Sequence, residues 1–331
     1  MRLRYAAKKG LFGVCDCSCW YYIALTSICR GIYLRPHLSS LFLVQIRSDR
    51  AMTYDKVANA ATPFALSGQA KDNSQILPRC EINCDMGEGF GPWKMGPDAE
   101  LMPLIDTANI ACGGHAGDPR IMRETIQLAK KHGVRVGAHP GLPDKVGFGR
   151  RQWALSPQDV YDLVLYQVGA LKAFLDAEGM PLLYIKPHGE LFFYVERDEE
   201  IMHAVLDAAK VFGVPVMAGK SARYEQVAKK EGVQFIQEFY PDLNYNSEGK
   251  LVKIFAGPKS VRTPETIMNA VLQAGFADQT VDTEDKPMNL NFGDAPFTVC
   301  LHLDMPTALE NARKTRTAID EINAARGYAA K

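Results

Sequence analysis

The sequence has no excess of either charge: 38 basic and 38 acidic residues cancel. Without a net field, long-range attraction to nucleic-acid phosphates or to an anionic membrane is missing, and neither is an expected partner. No apolar run is long enough to span a bilayer, since SCWYYIALTSIC stops at 12 residues where about 20 are needed. Eight cysteines are present, but none shows paired CxxC spacing, and CDCSC lacks the second half that a structural zinc site requires. GEGFG does not have the GxGxxG spacing of a dinucleotide cradle. Gly219-Lys220-Ser221 resembles the tail of a phosphate loop, yet the first glycine of such a loop would fall at position 214, which is Val214. The residues between read as a strand, so a P-loop is not expected.

What is present divides the chain in two. Residues 1–48 are basic, with Asp16 as their single acid. They read as a leader: a signal-type segment, an Arg-rich organelle transit segment, or a stretch ahead of an alternative start at Met52. Residues 58–78, rich in Ala, Ser, Asn and Pro, read as a linker, so 1–78 are expected to be disordered or targeting and 79–331 to be the folded domain. In that domain Cys80, Cys84, Cys112 and Cys300 lie in strand-like apolar runs, where a thiol behaves as a small hydrophobe. Reduced thiols make the cytoplasm the expected location.

From Arg79 one rhythm repeats, in which an amphipathic helix ends at a glycine and a short β-branched run begins: KKHG-VRVGA, AEGM-PLLYI, VFG-VPVMA, KKEG-VQFIQ. This is the helix-to-strand joint of a parallel sheet. Helices are expected to start at Asp118-Pro119, Ser156-Pro157, Asp198-Glu199 and Thr263-Pro264, each with a capping side chain. Val160, Leu163, Val164, Val168, Leu171, Phe174 and Leu175 form one face of the second of these. Seven strands are expected, at 79–84, 107–111, 134–138, 182–186, 214–218, 233–238 and 298–303. The alternation predicts a seven-stranded α/β barrel, with an open doubly wound sheet as the competing architecture.

In either architecture, binding groups collect at the C-terminal edge of the strands. Four of the seven histidines fall there: His115, His139, His188 and His302. The first strand exits through INCDMGEGFGPW with Asn83, Asp85 and Glu88, and the third through GAHPGLPDKVGFGRR with His139, Asp144, Arg150 and Arg151. The fourth exits through YIKPHGEL with Lys186, His188 and Glu190, the sixth through EFYPDLNYN with Glu238, Asp242 and Tyr245, and the seventh through CLHLD with His302 and Asp304. Any one of these alone reads as a hydrogen-bonded spacer or a surface charge. Five exits converging on one mouth read as a site.

The set INCDMGEG, ANIACGGHAGDP, GAHPGLPD with GFGRR, and IKPHGEL, in this order, resembles the LamB/YcsF family over residues 80–325. The resemblance implies a barrel akin to the glycoside hydrolase/deacetylase superfamily. It also implies ATP-dependent opening of 5-oxoproline to glutamate by an A-type subunit working with B- and C-type partners, with ATP and Mg2+ as cofactors. Asp85, Glu88, His115, Asp118, His139, Lys186 and His188 match family positions. Three positions depart from the family pattern: Gly114 stands for a phenylalanine, Leu243 for an arginine and Leu303 for a glycine. Loss of a cation at Leu243 favours an uncharged lactam such as 2-pyrrolidinone as the alternative substrate.

A lactam carbonyl resists water because the amide is resonance-stabilised. Lys186, Arg150 and Arg151 are therefore expected to face a phosphate or developing oxyanion. Asp85 or Glu88 would act as base, and His115, His139 or His188 as proton carriers. Two other classes fit the same residues. One is a metal-dependent, deacetylase-like hydrolase with Asp85, His115, His139 and His188 as ligands. The other is a non-catalytic subunit that presents the lactam to its partner.

Overall fold

The structure is a computed structural model and describes residues 77–252, 262–329 and 331. The expected leader and linker lie outside the described residues except for Leu77 and Pro78.

Seven parallel strands close into a barrel in the order β1 (Glu81–Met86), β2 (Thr107–Ala111), β3 (Arg135–His139), β4 (Leu182–Ile185), β5 (Val216–Gly219), β6 (Phe235–Phe239) and β9 (Thr298–Leu301). Closure is made by β9, which pairs with β1 through Glu81 and Thr298 and with β6 through Glu238 and Thr298. The open sheet is thereby excluded. All seven expected strands are present, with ends shifted by up to two residues: β1 runs to Met86 rather than 84, and β3 to His139. Asp85 and His139 consequently belong to strands and not to exit loops. A short hairpin outside the barrel, β7 (Gln279–Val281) with β8 (Pro287–Asn289), is not among the expected strands. Its three-residue arms are too short to show an alternating pattern.

The helices α1 (Asp98–Leu101), α2 (Pro119–His132), α3 (Pro157–Glu178), α4 (Gly189–Arg197), α5 (Glu199–Phe212), α6 (Ala222–Lys230), α7 (Pro264–Ala277) and α8 (Ala308–Ala325) accompany the strands. The four expected caps all act as caps. Asp118, Ser156, Asp198 and Thr263 each accept a hydrogen bond from the first turn of α2, α3, α5 and α7. Such a cap stabilises its helix by about 1 kcal/mol. At the far ends, Gly133 and Gly213 stop α2 and α5 at φ 66° and 64°, a left-handed turn that glycine takes without a Cβ clash. Among the described residues no helix is long and apolar enough to cross a membrane.

Strand parity decides where chemistry goes. In β1, Ile82, Cys84 and Met86 join the apolar cluster shared with the helices, while Glu81, Asn83 and Asp85 contact polar groups of other strands. Both sets are buried. The inner face of β1 thus feeds a column of polar contacts, while Tyr184, Met217 and Ile236 pack with Leu77 in a small separate apolar cluster. Asn109 of β2 donates to Asn83 Oδ1 (2.7 Å) and Asp85 Oδ1 (2.8 Å), and accepts the Tyr184 hydroxyl (2.5 Å). Gly137 makes room for that tyrosine: a Cβ there would sit 2.0 Å from the Tyr184 ring. At the opposite end of the barrel Glu81 pairs with Arg135, and Asp106 pairs with Arg79 (3.3 Å) and Arg316 (2.6 Å).

Candidate active site

The upper end of the interior column opens into a small cavity. Asp85, His139, Lys186, His188, His302 and Arg150 supply its polar surface; Phe192, Phe193, Tyr240, Leu243, Leu251 and Val252 supply an apolar wall. The fold brings these together because β1 and β3 end on Asp85-Met86 and His139. Lys186 and His302 lie one residue beyond β4 and β9, and His188 is the N-cap of α4.

Lys186 is the hub. Its Nζ lies 2.8 Å from Asp85 Oδ1, 3.3 Å from Glu238 Oε1 and 2.9 Å from Cys300 Sγ. Burial would lower its pKa, but Asp85, Cys300 and Glu238 outweigh that and hold it well above the usual lysine range. Burial in turn would raise the Asp85 carboxyl, yet His139 and Lys186 hold it well below the usual carboxylate range. The two therefore form an ion pair at neutral pH, and Asn109 fixes the orientation of the carboxylate.

Three imidazoles and Glu88 pack beside this pair. His139 donates Nδ1–H to the Lys186 carbonyl (2.8 Å), and His188 donates Nε2–H to the Phe148 carbonyl (2.8 Å), since a carbonyl can only accept. Their other nitrogens, His139 Nε2 and His188 Nδ1, face each other at 3.0 Å. The His115 ring stacks on His188 with centroids 3.6 Å apart and planes within 3°, and its Nε2 lies 3.3 Å from Glu88 Oε1. Burial, reinforced by the neighbouring imidazoles, lowers His115 and His188 well below the ordinary histidine pKa. Burial and then the Asp85 and Asp304 charges raise Glu88 well above the carboxylate range. Glycines make this packing possible: a Cβ at Gly141 would lie 2.4 Å from His115 Nδ1, and one at Gly149 would lie 2.7 Å from His115 Cβ. The same holds at Gly114, where a Cβ would strike Gln167 Oε1 at 2.3 Å. Gln167 fills that space and bonds both the N–H and the carbonyl of Gly141.

His302 behaves differently from the other three. Burial would lower it, but Asp242, whose carboxylate lies 3.0 Å from Nδ1, and Asp85 at 3.8 Å push it up to about 9. It is an imidazolium at neutral pH, facing the cavity. A histidine raised above its unfolded value of about 6.5 stabilises the fold fully below that pH, and the stabilisation is lost as pH rises through about 9. Urea unfolding of the parent and of His302→Gln should therefore differ by roughly 3 kcal/mol near pH 6, at about 1.4 kcal/mol per pH unit, and by much less at pH 10. A gap that stays constant across this range would show that the imidazole carries no excess proton in the fold.

Several expected site residues lie elsewhere. Asp118 is the N-cap of α2 and its second oxygen accepts from Gly91 N–H (2.8 Å), so it ties the β1 loop to α2 and does not line the cavity. Arg151 is exposed and pairs with Asp144; Arg150 alone of that pair lines the cavity, with Asp304 2.8 Å away. Asn83 is enclosed in the interior column, donating to Thr298 Oγ1. Asp242 serves His302, also accepting its backbone N–H (2.8 Å). Tyr245 stacks on Phe239 and its hydroxyl receives Tyr240 N–H. Glu238 reaches Lys186 from a neighbouring cavity. Of the four residues expected as metal ligands, His115, His139 and His188 gather with Glu88 in place of Asp85, each offering a donor atom within 4.8 Å of the others. Asn109, Cys300 and the aromatic wall of α4 are additions that strand-end spacing does not reveal. The middle position of Asn109 in the TANIA strand, between apolar neighbours, is the available signal for it.

Known proteins resemble this chain over the whole barrel. The LamB/YcsF family profile matches residues 80–329. The chain is 45% identical over 254 residues to the lactam utilization protein lamB of Emericella nidulans, covering 76% of this chain and 99% of that one. It is 41% identical over 248 residues to the A subunit of 5-oxoprolinase from Thermus thermophilus, covering 73% of this chain and 96% of the relative. The crystal structure of the lactam utilization protein from Thermus thermophilus superposes with a TM-score of 0.68 at 39% identity, covering 76% of this chain and 99% of that one. With three-quarters of its length matched, the chain belongs to the LamB/YcsF family.

Proposed function

We propose that this chain is the A-type subunit of a multi-subunit 5-oxoprolinase and hydrolyses the lactam bond of 5-oxoproline to give glutamate, in a reaction coupled to ATP. The observation that carries this reading is the Lys186–Asp85 ion pair on the floor of a cavity that also presents a cationic His302. Lys186 supplies a fixed positive donor where the carbonyl oxygen gains charge. Asp85 is the base for the attacking water, because it lines the cavity and Glu88 does not. His139 Nε2 lies 3.3 Å from Asp85 Oδ2 and holds that carboxylate toward the cavity. His302 and Arg150 replace the cation absent at Leu243 as partners for the substrate carboxylate.

Nucleotide chemistry is assigned to the complete complex with its B- and C-type subunits, with Mg2+ accompanying ATP, because the Gly219-Lys220-Ser221 segment fails as a phosphate loop. A specific observation favours a second substrate. Leu243 is buried in the cavity wall beside Leu251 and Val252, and this surface suits an uncharged ring such as 2-pyrrolidinone.

Ring opening and ADP release by the chain combined with B- and C-type subunits, measured on both lactams, decides between them. A charged partner for the substrate carboxylate contributes about 1.5–3 kcal/mol. The expected result is therefore at least about a tenfold higher kcat/KM for 5-oxoproline. Equal or better use of 2-pyrrolidinone selects the second substrate. Turnover by the isolated chain without ATP would overturn the coupled reaction in favour of a self-sufficient, deacetylase-like hydrolase. No ring opening by the complete complex would leave a lactam-presenting subunit.

A further inference from the structure

We propose that His139 Nε2, His188 Nδ1 and the Glu88 carboxylate form a binding site for one divalent transition-metal ion of the zinc class, with His115 as a positioning residue and not a ligand. The inference rests on the reading of this cavity as the hydrolytic site and names the cofactor that it takes.

The argument starts from the outer nitrogens. His139 Nδ1 and His188 Nε2 both donate to backbone carbonyls at 2.8 Å, which fixes each ring's tautomer and orientation. In the neutral rings this leaves lone pairs on His139 Nε2 and His188 Nδ1, and these point at each other across 3.0 Å. Two facing lone pairs at that distance repel unless a proton or a metal ion lies between them, and the titration below tells the two apart. Zinc–nitrogen bonds of about 2.0–2.1 Å put neighbouring ligand atoms of a tetrahedral centre about 3.4 Å apart. The observed separation is close to that edge. The two rings stand at 89° with centroids 4.9 Å apart, so neither ring covers the other's free nitrogen. Pinning of the remote N–H to a carbonyl is the support that ligating histidines usually have.

The carboxylate is Glu88, whose Oε1 lies 3.6 Å from His188 Nδ1. Asp85, the acid expected from the sequence, is the poorer ligand because Oδ1 already accepts from Lys186 and Asn109, leaving Oδ2 alone, 3.3 Å from His139 Nε2, while Glu88 is the carboxylate grouped with all three imidazoles. His115 is separated from the ligands by ring geometry. Its plane is parallel to His188 and 3.6 Å away, and parallel rings send their lone pairs along parallel lines that do not meet at one ion. His115 Nε2 lies 3.3 Å from Glu88 Oε1 and orients that carboxylate instead. Two nitrogens and one carboxylate, buried, leave a coordination position for the cavity that His139 and His188 line. Catalytic zinc sites have this donor count.

The test uses the full chain stripped with a chelator, then titrated with Zn2+ and with Co2+ in equilibrium dialysis, with the visible ligand-field bands of Co2+ as a second readout. One ion per chain is expected. Glu88→Gln and His188→Ala should each weaken binding by at least about a hundredfold, and His115→Gln by about tenfold, the range for a residue acting on a ligand. His302→Ala, taken from the separate trio Asp85, Cys300 and His302, should leave binding unchanged. The proposal is overturned if the stripped parent chain takes up no stoichiometric ion, or if His302→Ala abolishes binding. Loss in His115→Gln as large as in His188→Ala overturns the assignment of ligands. The readouts need no substrate, so they separate this inference from the function. Full lactam turnover by a complex assembled from the stripped chain and supplied only with Mg2+ and ATP removes the zinc-class metal and leaves the lactam reading standing; bound metal without any lactam turnover does the reverse.

Discussion

Lys186→Met is expected to lower lactam ring opening by at least about a thousandfold and to destabilise the barrel at the same time. The ammonium lies among Asp85, Glu238 and Cys300 inside the closed ring of strands. Methionine has the length and volume to fill the space, so the loss is electrostatic and not a cavity. Removing one member of a buried ion pair leaves uncompensated carboxylates, at a cost of about 3–5 kcal/mol. Loss of one preorganised donor to a developing oxyanion costs about 10²–10³ in kcat. The orientation of Asp85 is lost with it, which carries the expectation to the upper end. The check is ring opening by the complete complex together with urea unfolding. Lys186→Met combined with Asp85→Asn should recover part of the stability, because one unpaired charge goes, and none of the activity. Activity within tenfold of the parent in a folded Lys186→Met protein would remove this residue from the mechanism.

Asp85→Asn separates chemistry from folding more cleanly. The side chain keeps its shape, and the amide oxygen can still accept from Asn109. It can no longer take a proton from water or compensate Lys186, which retains Glu238 at 3.3 Å. Loss of a general base typically costs about 10²–10⁴, so kcat should fall by at least about a hundredfold with little change in KM. Comparing kcat and KM at saturating ATP tests this. A rise in KM at constant kcat would instead place Asp85 in substrate binding.

The order of elements and the mouth of the barrel were legible because they depend on local signals. Caps at Asp118, Ser156, Asp198 and Thr263 are written in single residues, and all four act as expected. The strand-end histidines were legible because a closed parallel barrel has one edge on which to gather them. What stayed hidden depends on long-range partners. Asp118 matched a family motif and also read as a cap; its hydrogen bonds to α2 and to Gly91 use both oxygens, leaving the cap as the structural role. Arg150 and Arg151 are neighbours in sequence, yet Arg150 lines the cavity and pairs with Asp304 while Arg151 turns outward to Asp144. Choosing between Asp85 and Glu88 as a metal ligand required knowing that Asn109 and Lys186, 24 and 101 residues away, occupy Asp85. Part of the apolar wall comes from Phe192 and Phe193 on α4, whose packing no spacing rule reveals.

The division of β1 into Glu81, Asn83 and Asp85 on one side and Ile82, Cys84 and Met86 on the other has a genetic corollary. A single-codon insertion or deletion inside this strand would exchange the two sides, driving carboxylates into the greasy belt beneath the helices and hydrocarbon into the reaction chamber. Length variation among natural relatives should accordingly be confined to the segments joining strands and helices, and a two-codon change within β1 should be less harmful than a change of one.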